Sequence, residues 1–172
     1  MLGNPGGFIG FQGDAVAMIG PDLHLGALTS DVFGLNGTIW HANRHSDGSW
    51  TPLGNVNNVV GHPGSFRQVA LAMVQGELHL TGCDGSTIWH TIRHADGTWI
   101  PFGNVNRVVG NPGPGFRMAA LAGPSELQLV GVDSQGTSWH TIRHSDGRSR
   151  LTCVLRLGNR VVTSGRTNSL HP

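Results

Sequence analysis

The chain has 172 residues, of which 12% are charged, and its 11 basic side chains, all arginine, against 10 acidic ones leave a formal net charge of +1. That balance excludes a nucleic-acid groove or a polybasic membrane face, and no apolar run reaches the ~20 residues of a membrane-spanning helix. With 27 glycines scattered between short apolar segments, the composition is that of an all-β protein with frequent turns.

In chain order, the opening MLGNPGGFIGFQGD has no basic region ahead of an apolar stretch, so no secretory signal is expected and localisation stays open. The PGGF at Pro5 and the AVAMIGPDLHL after it begin a pattern that recurs. TIWHANRHSDGSWTPLGNVNNVVGHPG starts at Thr38. PGSFRQVALAMVQGELHL starts at Pro63 and leads to TIWHTIRHADGTWIPFGNVNRVVGNPG at Thr87, 49 residues after Thr38. PGPGFRMAALAGPSELQLV follows from Pro112, and TSWHTIRHSDG from Thr137, 50 residues after Thr87. A period near 49 residues marks tandem copies of one supersecondary unit.

Each copy divides into four strand candidates, which in the middle copy are RQVALAMV, ELHLTG, STIWHTIRH and TWIPFGNV. Gln75-Gly76, Asp84-Gly85 and Asp96-Gly97 separate them, pairs that supply the positive φ of tight hairpin turns. Four antiparallel strands per ~50 residues is the unit of a β-propeller blade. Three blades are therefore expected, at about 5–61, 62–110 and 111–147. Closed propellers typically have four to eight blades, so this one is expected to be incomplete or completed by other copies.

Residues 148–172 break the pattern. They hold no acid and no Trp, but five arginines, Arg148, Arg150, Arg156, Arg160 and Arg166. The segment reads as a divergent basic tail, either the unrelated or frame-shifted end of a truncated propeller or a natural basic arm. Two cysteines, Cys83 and Cys153, make no disulfide framework, and the sequence does not say whether they pair.

The motif W-H-x-x-R-H occurs at Trp40, Trp89 and Trp139. Its two histidines lie four residues apart, a zinc spacing on a helix, but on a strand four residues span roughly 13 Å, so no metal is expected. D-G-x-W, at Asp47 and Asp96, reads as a turn rather than a calcium loop. His45-Ser46-Asp47 is not a triad, because extended neighbours point to opposite faces. Glycosidases need paired carboxylates, whereas Glu77 and Glu126 recur at one repeat position. Repetition suits several binding sites better than one active site, so no enzyme activity and no cofactor are expected.

Strand alternation places Trp89, Thr91 and Arg93 on one face and Ile88, His90 and Ile92 on the other. A Trp face offers an apolar platform for sugar C–H groups, and Arg a fork of donors for hydroxyls. The competing reading is that Trp fills the core between repeats and Arg pairs with a turn Asp.

Through IWHTIRHADGTW-x-PFGNV, the chain resembles bacterial propeller lectins of the PLL type, with tachylectin- and tectonin-like architecture. The resemblance covers roughly residues 5–147. It implies pockets between adjacent blades that bind fucose and O-methylated sugars. Carried over, the candidates are Trp89 with Arg93, Trp40 with Arg44 and Trp139 with Arg143, lined by Glu77, Glu126, Trp50 and Trp99; many family blades have Gln at the position of Arg93. The expected partners are thus glycans, and either further copies of the chain or the rest of a larger propeller. The alternatives are a structural or protein-interaction propeller without sugar binding, a truncated non-functional fragment, or a catalytic propeller of the hydrolase kind.

Overall fold

The computed structural model describes residues 11–30, 37–111, 115, 117–122, 125–156 and 164–166, with backbone alone at 11, 119–122, 150–156 and 164–166. The N-terminal PGGF, the Cys153 thiol and most of the tail beyond Arg156 lie outside the described residues. The fold is all-β, in three antiparallel sheets, none closed on itself. The first sheet takes β1 (Phe11–Ile19), β2 (Asp22–Thr29), β3 (Thr38–Arg44) and β4 (Gly54–Asn55), in that order. The second repeats it with β5 (Gln68–Val74), β6 (Glu77–Cys83), β7 (Ile88–Arg93) and β8 (Gly103–Asn104). The third has β9 (Arg117–Ala122), β10 (Leu127–Val132), β11 (Thr137–Arg143), β12 (Ser149–Arg156) and the short β13 (Ser164–Arg166).

Local chemistry sets these strands. Val74 pairs with Glu77 across a two-residue loop in which Gln75 and Gly76 take φ of 53° and 84°, the primed turn whose twist matches flanking strands. Pro52 and Pro101 have no N–H to give a ladder, and β4 and β8 are each only two residues long. No proline lies between Ser149 and Arg156, and β12 runs eight residues. This strand falls within the stretch that the sequence sets apart as tail. A one-turn helix follows each short strand, α1 (Val56–Val60) and α2 (Val105–Val109). Their N-caps, Asn55 and Asn104, accept from the backbone N–H of Asn58 and Arg107. Inside the turns, Asn57 and Asn106 accept from Ile39 and Ile88 N–H at 2.9 and 2.8 Å, tying each helix to the start of a third strand.

Successive sheets pack face to face. Their first strands run side by side, β1 against β5 and β5 against β9. The first junction buries Leu28, Ile39, Phe66, Leu71, Leu78 and Leu80, with Trp89, Trp99 and Phe102 packed against them. Gly82 belongs to this fit, since a Cβ there would lie 2.5 Å from the Phe66 ring. The second junction is built from Cys83, Ile88 and Leu129, against which Met118 and Trp139 pack, and from Ala72, Val74 and Leu127. The second sheet thus packs on both faces, one against each neighbour, as stacked repeats do. No helix among the described residues is long and apolar enough to cross a membrane.

Candidate functional site: the clefts between sheets

Trp89, Thr91 and Arg93 do share one face of β7, and that face turns toward the first sheet. Trp89 packs against the first-junction core while its indole N–H donates to Asp84 Oδ2 at 3.3 Å. Trp139 does the same at the second junction, packing on Cys83, Ile88 and Leu129 and donating to Asp133 Oδ2 at 3.4 Å. Trp40 donates to Thr29 Oγ1 at 3.0 Å. These three rings are anchored, half-buried members of the sheets. Thr137 and Gln135 N–H groups also reach Asp133, and the Thr137 bond leads in holding its carboxyl below the usual range.

Opposite Arg93 and Arg143 lie pairs of polar rings. His24 Nδ1 is 2.9 Å from His41 Nε2, and His79 Nδ1 is 3.0 Å from His90 Nε2. The third sheet replaces the first member with glutamine, Gln128 Oε1 lying 3.2 Å from His140 Nε2. Burial, then the neighbouring imidazole and Arg93, pushes His41 down to about 3. Burial, then His79 and Arg143, likewise pushes His90 down to about 3, and burial followed by Arg143 takes His79 to about 4. Arg93 and Arg143 thus face the histidine pair of the preceding sheet, and their charge adds to the burial that disfavours imidazolium there. Arg44 has no described sheet before it and is exposed.

The second histidine of each motif turns to an acid. His45 Nδ1 meets Asp22 at 3.0 Å, His94 meets Glu77 at 2.6 Å, and His144 meets Glu126 at 2.7 Å. Glu77 and Glu126 therefore already hold imidazole partners. The D-G-x-W aspartates close their turns as expected, with Asp47 and Asp96 accepting from Ser49 and Thr98 N–H.

Two clefts open between the second and third sheets. One, of about 290 Å³, is lined by the polar Thr81, His90, Asn104, Thr141, Arg143 and Ser149 and by apolar residues including Ile100, Pro101, Leu127 and Leu129. The other, of about 320 Å³, is lined by Glu77, His79, His94 and His144 and shares Ile100, Leu127 and Arg143 with the first. Of the residues singled out from sequence, Arg143 lines both clefts and Glu77 the second. Glu126 stands behind His144. Trp99 sits instead at the first junction, its ring 5.5 Å from that of His41 and edge-on to it. Trp50 bridges to Arg44 on the outer side of the first sheet.

His90, Asn104 and Ser149 were not singled out from the sequence. His90 belongs to the alternation face opposite Trp89, and Ser149 stands where the third copy of D-G-x-W lacks its tryptophan, a signal that was legible. Among the described residues, no group of three or more His, Cys, Asp or Glu side chains is placed to hold a metal ion. The site is therefore an amphipathic cleft between stacked antiparallel sheets. No family model and no curated protein matches the chain.

Proposed function

We propose that the three sheets are blades of a β-propeller and that the chain is a non-catalytic carbohydrate-binding module, taking fucose-type or O-methylated sugars between its second and third sheets. The 49-residue sequence period, the side-by-side first strands and the face-to-face stacking support the propeller reading. The observation that carries the function is the first cleft, which Arg143, Asn104 and Thr141 line together with Ile100, Pro101, Leu127 and Leu129. Deoxy and O-methylated sugars are amphipathic in the same sense: methyl groups meet the apolar side chains, and ring hydroxyls meet the Arg143 fork. Ligand pockets of this kind are mostly apolar, with a few convergent polar groups.

Titration calorimetry with fucose and methyl fucosides tests the reading. Binding at up to millimolar dissociation constants is expected, weakened about 10- to 100-fold by Arg143→Ala, the effect of removing a charged hydrogen bond. A folded protein that binds none of these sugars at millimolar concentration would reject it, as would binding that ignores Arg143→Ala.

We also propose that copies of the chain associate head to tail. Val16 and Met18, 57% and 54% exposed on the first sheet, hold the register positions of Leu71 and Met73 in the second, where Leu71 is 6% exposed. At the other end, Val132 is 40% exposed at the register position of the fully buried Cys83. The two end faces are those that meet at each internal junction, so a second copy supplies what each lacks.

A further inference from the structure

The 290 Å³ cleft lies at the second junction, which differs from the first at several repeat positions, among them Thr51 against Ile100, Leu71 against Ala120 and Met73 against Ala122. The largest difference in side-chain size is Trp99 against Ser149. Trp50 pairs with Arg44, Trp99 with Arg93, and Ser149 with Arg143, each across the turn that ends the third strand. Ser149 therefore stands where the other two sheets carry tryptophan. At the first junction the Trp99 ring lies edge-on to His41 and packs against the buried apolar cluster between sheets. At the second, the equivalent histidine, His90, lines the cleft together with Ser149 and Gly147, and no indole comes from Ser149 to cover it. His41 and His90 occupy the same register in β3 and β7, so the cleft includes the space that an indole fills one repeat earlier.

We propose that this position decides which junction binds: Trp99 is an internal plug that fills the first junction, and Ser149 leaves the second open, giving the chain one sugar site instead of one per junction. The identity of the ligand rests on the carbohydrate reading above; the plug does not. The cleft is lined by His90, which holds the register position from which His41 meets the Trp99 ring one repeat earlier. Free indole is accordingly a ligand for the second junction whatever sugar it takes.

Two sets of measurements separate these claims. In calorimetry with methyl fucoside, the unmodified chain should bind one equivalent, Trp99→Ser two, and Ser149→Trp none. Sugar binding by Ser149→Trp equal to that of the parent, or a stoichiometry unmoved by Trp99→Ser, would overturn the plug. Independently of sugar, the indole introduced by Ser149→Trp should emit to the blue of an exposed tryptophan and resist acrylamide quenching, and full quenching would overturn the proposal. Free indole at millimolar concentration should raise the melting temperature of the unmodified chain, an effect that Ser149→Trp abolishes. If Ser149→Trp fails to fold, the absence of indole binding to the unmodified chain is enough to overturn it. A chain that binds indole but no sugar would retain the plug and reject the carbohydrate reading.

Discussion

Mild acid should unfold this protein through its histidine pairs. Lowering the pH from 7 to 5 leaves His41 and His90 neutral in the folded state, since burial holds both at about 3 against an ordinary 6.5. The unfolded chain takes up nearly one proton at each. A depressed folded pKa contributes stability that is complete above 6.5 and is lost as pH falls from there toward 3. For each ring the loss between pH 7 and 5 is about 2 kcal/mol. His79, held at about 4, adds about 1 kcal/mol once solvent screening is allowed for. A total near 5 kcal/mol is comparable with the whole stability of a marginal domain. Urea unfolding followed by tryptophan fluorescence, at pH 5, 6 and 7 and fixed protein concentration, reads this directly. The variant His79→Gln installs what the third sheet already has, where Gln128 meets His140. It should keep the pH 7 stability within about 1 kcal/mol while reducing the acid loss by about 1 kcal/mol. Equal stability at pH 5 and 7, or a His79→Gln variant with an unchanged pH slope, would refute the reasoning.

Two further outcomes are expected. Gly82→Ala should destabilise by about 1–3 kcal/mol in the same assay, because its methyl would press on the Phe66 ring. Head-to-tail association predicts that Val16→Asp and Val132→Asp are each monomeric by light scattering at micromolar concentration, and that mixing them gives only a dimer. A monomeric parent defeats that idea, and a Val132→Asp variant that still dimerises alone points to a head-to-head contact instead.

Much of the fold was legible because local chemistry repeats. The Gln75-Gly76 turn, the alternation in β6 and β7, and the D-G-x-W turns each act over a few residues, and each appears in the structure where the sequence places it. The site was legible only in part. Trp89 and Arg93 share a face, as alternation requires, but alternation does not say what that face meets. It meets the first sheet, and the clefts open on the opposite face, with Arg143 reaching them from the next repeat.

What the sequence determines by itself is periodicity: strand, turn and face, and the loss of tryptophan at position 149. Those depend on neighbours along the chain, and one copy of the repeat predicts the next. Only the tertiary structure decides that a ring from one repeat covers the histidine of the repeat before it, as Trp99 covers His41. The contact spans 58 positions in the sequence and has no local signature. Which side chains meet across a junction depends on residues delivered from two repeats, and no pattern within a single repeat carries that information.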